Sequence, residues 1–449
     1  MKRVHFIGVE ADLCDLKSVY ALADTLVNGT VGNPDATTID GGELPHGSPG
    51  TKSFSEGAKQ DRWALSQEPG SIGAMRSWGW GLHDLRIPRI DVVIFNAGIG
   101  GWTGFAWIQA ITDVLMDVID AVTWPKYNLA NVGAVVKSQL SPAGSKSGDG
   151  GTQPLIPGQE KVEEPPLGQV FCSNVFGHYI LAHELMPLLS RPAGPTSQRG
   201  GKIVWISSIQ TDQHAFSLDD LQGLKSLAPY ESTKRLQDLL ALTADLPSVK
   251  QTCAPFFNPA NTTTAKPTPK GKKTGTDKVV KPTMYTTQPG IFASDIMPLN
   301  WFLVACYKLI FLVARWLGSP WHPIDPYKAA VAAVWLSLAE PETLDDMGGA
   351  KVKWGTSTDT RGHERVRKTE VDGWGWDGQV GNAEVIDGEK RKGRRKGAVD
   401  LTREAREDFE VLGGKCWREM EELRVEWEGI LGVKSGKEKP LRYLTPEGI

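Results

Sequence analysis

Apolar residues along the chain fall into short unbroken runs, each stopped by turn-forming residues. Asp91-Val92-Val93-Ile94-Phe95 ends at Asn96-Ala97-Gly98 and Lys202-Ile203-Val204-Trp205-Ile206 ends at Ser207-Ser208, while Met284 to Thr287 reads as a further strand, halted by Pro289-Gly290. A short run without polar alternation suits a parallel strand covered on both faces. Residues 4–9 form another such run and read as the first strand. Helical patterns occupy 16–26, 171–189 and 230–242. Strands alternating with helices predict an α/β fold, a Rossmann-like doubly wound parallel sheet. Much later, Phe409, Leu412, Cys416, Met420, Leu423, Trp427 and Ile430 recur at steps of three and four, the stripe of an amphipathic helix.

Composition narrows the picture. A hydrophobic share of 40% and a charged share of 23% describe a folded chain and exclude wholesale disorder. Lys+Arg 50 against Asp+Glu 53 is too balanced for a protein that coats nucleic acid, so no nucleic-acid partner is expected. The five cysteines form no CxxC pair, which argues against a zinc cluster or a disulfide framework and for a reducing compartment. The 49 glycines and 29 prolines predict long loops, placed at about 28–88, 138–166 and 258–282. The N-terminus has no apolar core of the kind a signal peptide needs. Residues 301–317 are the most apolar stretch, yet Lys308 and Arg315 interrupt it, and a spanning helix needs about 20 mostly apolar residues. The segment (299–318 at its widest) fits a helix lying in a membrane interface or at a substrate mouth. It fits a core helix equally well, and periodicity does not separate them. A main domain over 1–340 and a polar C-terminal extension over 341–449 are expected. The basic run at 390–396 reads as a solvated face, with a lipid-headgroup contact as the alternative.

The chemistry starts from Tyr230 and Lys234, one helical turn apart on one face. A phenol near its usual pKa of about 10 is a poor proton donor or acceptor at neutrality, and a nearby cation favours the phenolate. Alone, the two read as an ordinary surface pair. Order changes that. In an open parallel sheet, ligands bind beyond the carboxyl ends of the strands, where Asn96, Ser208 and Gly290 stand, while Tyr230 opens the helix after one of them. Asn174 falls inside the intervening helix.

On Asn96-Ala97-Gly98, Asn174, Ser208, Tyr230, Lys234 and Pro289-Gly290, the chain resembles the short-chain dehydrogenase/reductase family. Longer strings are similar to its branch that reduces 3-keto sterols in fungal ergosterol synthesis: residues 94–102, Asn174-Val175-Phe176-Gly177-His178-Tyr179, Leu317-Gly318-Ser319-Pro320-Trp321-His322 and Val371-Asp372-Gly373-Trp374-Gly375. The similarity runs over nearly the whole chain. It implies reduction of the 3-keto group of a 4-methyl sterol intermediate to the 3β-alcohol with NADPH, although the chain itself does not reveal NADP against NAD. It also implies a sterol substrate, a sterol C4-demethylation complex as partner, and the cytosolic face of the endoplasmic reticulum membrane or the lipid droplet as location. Tyr230 would donate the proton and Ser208 would hydrogen-bond the carbonyl oxygen. Lys234 would hold the nicotinamide ribose and lower the Tyr230 pKa, and Asn174 would anchor a water in the proton relay. Asp12 matches the acidic position near the adenine. Asn96, Ala97 and Gly98 lie along the cofactor, and Gly290, Ile291 and Ser294 would contact its nicotinamide end.

Two departures stand out. The gap from Ser208 to Tyr230 exceeds the family's usual spacing, at which Ser217 stands instead. Ser208 is preferred over Ser217 and its neighbour Ser207, because a strand end is a rigid mount. The family's opening strand and Gly-rich turn, whose amides cradle the pyrophosphate, have no match, Gly70-Ser71-Ile72-Gly73 being the nearest cluster. The run at 4–9, followed by Asp12, aligns with the family's third strand. The sequence therefore predicts a sheet lacking its first two strands, through a late start, and weak or no activity. The alternative is a non-catalytic remnant that binds sterol or a sterol-synthesis complex at the membrane.

Overall fold

The computed structural model describes residues 7–32, 85–140, 164–192, 199–257, 279–294, 296, 299–381 and 393–433. Two units divide it: Met1–Ala11 with Tyr20–Pro88, and Asp12–Val19 with Arg89–Ile449. The first contributes most of helix α1 (Leu16–Val27) and an antiparallel bridge between Val31 and Leu85. Residues 7–9 are irregular, so the described part of the expected first strand is not one, and residues 4–6 lie outside the described residues. Most of the three predicted loops also lies outside them.

The second unit carries the sheet. Chain order gives β1 (Val92–Phe95), β2 (Trp102–Phe105), α2 (Trp107–Met116), α3 (Val118–Thr123) and β3 (Asn128–Ala130). Then follow α4 (Gly177–Glu184), α5 (Met186–Leu189), β4 (Lys202–Ile206), α6 (Pro229–Thr243), α7 (Lys250–Phe257) and β5 (Thr283–Gln288). Last come α8 (Trp301–Trp316), α9 (Val331–Leu338), β6 (Lys353–Thr358), β7 (Glu364–Thr369) and α10 (Arg403–Leu431). The sheet order is β1-β4-β5-β6-β7, parallel except for the antiparallel β6–β7 pair. The mainly parallel sheet between helices is the Rossmann-like architecture expected. Among the described residues β1 is an edge strand, and Ile94 on it is 41% exposed.

Local chemistry explains the elements that carry the site. Pro229 opens α6 at a position where its missing N–H costs nothing, and Glu231 in the first turn favours the positive end of the helix dipole. Asn300 caps α8 by accepting from the Leu303 amide. Thr402 caps α10 in the same way, and Gly432, at φ 63°, ends it in the left-handed region. Residues 341–369 supply two sheet strands, so the expected boundary at 340 cuts through the sheet and is corrected. The helix predicted over 171–189 is broken, with a π-helical turn at Cys172–Phe176 between Gln169–Phe171 and α4. The amphipathic stripe of α10 packs on α6 as periodicity demanded: the Trp417 indole donates to the Leu240 carbonyl at 3.2 Å, and Phe409, Cys416, Met420 and Trp427 are buried.

Candidate active site

Strand ends and helix α6 converge on one cavity of about 170 Å³, with Asn96, Asn174, Ser208, Tyr230, Lys234 and Gly290 in its lining. Gly98, Ile291, Ser294 and Ser207 line it too, whereas Ala97 and Asp12 do not. Asp12 closes a local turn, its carboxylate accepting from the Cys14 amide at 2.8 Å. Ser217 is exposed outside the cavity and caps a short 3-10 turn, its hydroxyl accepting from the Asp219 amide at 3.3 Å. Ser207 and Ser208 therefore both line the cavity and Ser217 does not, and the Ser207 hydroxyl donates to the Lys234 carbonyl at 3.4 Å.

Asn174 sits in the π-helical turn, a distortion that often marks functional sites. Its amide nitrogen donates to the Ile99 carbonyl at 2.9 Å and its amide oxygen accepts from the Ile99 amide at 2.8 Å. The side chain thereby pairs with the turn after β1 as a strand neighbour would, and its amide nitrogen also lies 3.3 Å from the Thr233 hydroxyl. Its backbone carbonyl accepts from Gln237 Nε2 at 2.7 Å. Gly98 is required here: a Cβ would stand 2.6 Å from the Asn174 amide oxygen.

Lys234 is buried and donates to the Ile206 carbonyl at 2.8 Å, with its ammonium 5.6 Å from the Tyr230 ring centre. Burial lowers its pKa to about 7, Asp238 pulling upward and Lys353 downward. Burial likewise pushes the Tyr230 phenol up to about 12, opposed by a hydrogen bond from Ser208. Lys234 is not among the groups that depress the phenol, so the expected lowering of the Tyr230 pKa is corrected: in this geometry the serine does that, and burial outweighs it.

Sequence reasoning missed several neighbours. Trp102, from β2, lies against the Tyr230 ring with centres 4.9 Å apart. It also borders a second cavity of about 590 Å³, which shares Pro125, Asn128 and Gln210 with the first. Trp124, Leu129, Leu227 and Trp321 give that cavity apolar walls, and Glu231, Glu370 and Arg394 give it polar ones. Arg394 grips Glu370 through two 2.7 Å bonds, and Arg395 pairs with Asp212 at 2.8 Å. In the described part of the basic run, Arg394 and Arg395 are therefore turned to protein acids rather than to solvent, while Lys396 stays exposed. The two arginines tie the C-terminal segment onto the cavity wall, and no pattern in the sequence pointed to their partners Asp212 and Glu370. Burial raises the Glu231 carboxyl to about 7, with Asp212 adding to it.

A mainly parallel sheet with Ser, Tyr and Lys gathered beyond its strand ends defines a Rossmann-like oxidoreductase of the short-chain dehydrogenase/reductase type. Comparison with known proteins goes further. The chain is 38% identical over 440 residues to the 3-keto-steroid reductase ERG27 of Gibberella zeae, covering 96% of this chain and 78% of that protein. It is 42% identical over 362 residues to the 3-keto-steroid reductase of Aspergillus fumigatus, covering 78% and 74%, and 33% identical over 290 residues to that of Saccharomyces cerevisiae, covering 63% of each. The chain belongs to the fungal 3-keto-steroid reductase family. No family model matches it, and no solved structure does.

Proposed function

We propose that the protein reduces the 3-keto group of a 4-methyl sterol to the 3β-alcohol with NADPH. The observation that carries the reading is the meeting of Ser208, Tyr230 and Lys234 in one small cavity that shares Trp102, Pro125, Asn128 and Gln210 with a larger, aromatic-walled one. A volume of about 590 Å³ lies in the range for drug-sized ligands and suits a sterol body, with the ketone directed to the small cavity.

The small cavity fits the nicotinamide–ribose end of the cofactor. The bare Cα of Gly98 leaves no side chain along its floor, the Lys234 ammonium has donors beyond its one carbonyl partner, and Gly290 turns the chain at φ 75°. Among the described residues no strand leads through a glycine-rich turn directly into a helix. The pyrophosphate end therefore has no counterpart there. Bound in this cavity, the reduced nicotinamide supplies hydride chemistry. Tyr230 supplies the proton that quenches the alkoxide, and a phenol held at about 12 is in its protonated, donating form throughout the neutral range. The Ser208 hydroxyl hydrogen-bonds the ketone oxygen. Lys234 holds ribose hydroxyls, and Trp102 confines the Tyr230 ring. Asn174 fixes the turn that carries Asn96 and Gly98.

The protein works, in this reading, at the cytosolic face of the endoplasmic reticulum membrane, beside the other enzymes of sterol C4 demethylation. Exposed apolar residues support a surface-lying mode: Trp301, Phe302, Leu309 and Trp316 on α8, and Ile108, Ile111 and Leu115 on α2. No helix of the described residues is long and apolar enough to cross a membrane. The test is turnover: the purified chain, given NADPH and a 3-keto-4-methyl sterol, is expected to consume both and yield the 3β-alcohol. Failure to bind NADPH or to form product, with sterol still bound, would instead support a sterol-binding remnant.

A further inference from the structure

A charged pair lies wholly buried behind the reacting groups. Lys353 on β6 is 1% exposed and Asp238 on α6 is 0% exposed, and they meet at 2.5 Å. The Lys353 ammonium also donates to the Ser208 backbone carbonyl at 2.5 Å and to the Thr211 hydroxyl at 3.3 Å, which uses all three of its protons. Asp238 accepts from the Thr286 hydroxyl at 3.0 Å with its other oxygen, and Thr286 is the register partner of Lys353 across β5 and β6. One ammonium thus ties the end of β4, which mounts Ser208, to α6, which mounts Tyr230 and Lys234. Asp238 lies one helical turn beyond Lys234 on the same face of α6.

We propose that Lys353 and Asp238 are positioning residues for the reaction: through the Ser208 carbonyl and through α6 they set the Ser208 hydroxyl against Tyr230 and balance the charge around Lys234. The proposal rests on the reductase reading of Ser208, Tyr230 and Lys234. A buried ion pair is weak evidence for stability, because desolvation offsets attraction. Its placement between the two mounts of the site argues for a role in geometry. Electrostatics agree: Asp238 raises and Lys353 lowers the Lys234 pKa. The other charged and titratable groups facing this set are Arg235 on α6, Asp372 after β7 and His178 on α4, the first two acting on Lys353 and the third feeling Lys234.

The test compares K353M, D238N and the K353M/D238N double variant in steady-state turnover of a 3-keto-4-methyl sterol across pH, alongside amide exchange of residues 207–211 without ligands. K353M is expected to lose about 10²-fold in kcat, the scale of a small misplacement of reacting groups, with sterol KM little changed. The pH limb set by Lys234 should move up in K353M and down in D238N, opposite shifts that a purely structural pair would not give. Exchange at 207–211 should rise about tenfold in K353M through loss of a charge-assisted bond. If K353M does not fold, the double variant, which removes both members of the ion pair together, carries the test and is expected to fold yet stay slow. Wild-type kcat and pH profile in a folded K353M, shifts of one sign in both single variants, or wild-type turnover in the double variant would overturn the proposal. A wild-type chain that reduces no sterol sinks the reductase reading instead, and the exchange comparison then still decides whether Lys353 holds Ser208.

Discussion

Helices α6 and α8 invert the usual relation between hydropathy and burial. The sequence of α6, PYESTKRLQDLLALT, is polar for half its length, yet Lys234, Arg235, Gln237 and Asp238 are all buried in it. The sequence of α8, WFLVACYKLIFLVARW, is almost wholly apolar, yet of its residues only Phe311 and Ala314 are buried. Burying charge is costly unless it is paired or has a task, and exposing apolar surface is costly unless something other than water covers it. On α6 the task we propose is chemistry. On α8 the cover we propose is lipid: Trp301 and Trp316 mark its two ends, 82% and 61% exposed, and Leu309 lies between them.

The comparison breaks first at Tyr230. Tyr230→Phe removes the proposed proton donor and should cut turnover by about 10² to 10⁴-fold, with the thermal midpoint unchanged. Near-normal turnover would mean that α6 buries its polar groups for another reason. Next comes the packing that keeps α6 dry. Trp417 of α10 is fully buried, its ring centre 5.1 Å from that of Phe256. Trp417→Ala should cost about 3–5 kcal/mol in urea unfolding, and a cost below about 1 kcal/mol would show that α10 is an ornament to the fold rather than its lid. On the other side of the comparison, Leu309→Asp combined with Trp316→Ser should lower partition onto vesicles of endoplasmic reticulum lipid about tenfold or more, given about 1.5–3 kcal/mol for each large apolar side chain. Turnover of detergent-dispersed sterol should stay the same. Unchanged flotation would show that protein, not lipid, covers α8.

The smallest effect concerns acid. Burial lowers His178 from its ordinary 6.5 to about 3. A depressed folded-state pKa means that the stability it contributes is present above about 6.5 and is lost as pH falls toward 3. His178→Asn should flatten the acid limb of the thermal midpoint over that window, and an acid limb as steep as wild type would place the acid sensitivity elsewhere.

Most of the sheet was legible in the sequence because a strand covered on both faces must be continuously apolar. Val92–Phe95 and Lys202–Ile206 announce themselves in that way, whereas Thr283–Gln288, with the sequence TMYTTQ, is marked by the Pro289-Gly290 that halts it. Strands β6 and β7 were not, since KWGTST is a polar strand whose burial comes with tertiary partners such as Asp238, and ERVRKT is a polar, mostly half-buried or exposed strand beside it. Site residues were legible where order along the chain met strand ends, as at Ser208 and Tyr230. Their electrostatics were not. Whether a cation lowers a phenol's pKa depends on distance and burial, and Lys234 is bonded to the Ile206 carbonyl instead. Trp102 closes the 94–102 string, but its contact with Tyr230 appears only in the fold, and Lys353 and the Arg394–Glu370 grip lie far from the motif in sequence.

The central claim, that the Tyr230 cavity passes hydride to a sterol ketone, is tested most directly with NADPH carrying deuterium on the transferring face of its nicotinamide ring. Incubated with this chain and a 3-keto-4-methyl sterol, it should yield a 3β-alcohol bearing one deuterium at C3, absent when Tyr230→Phe replaces the wild type. Recovery of the unreduced, deuterium-free ketone from the wild-type chain would contradict the account.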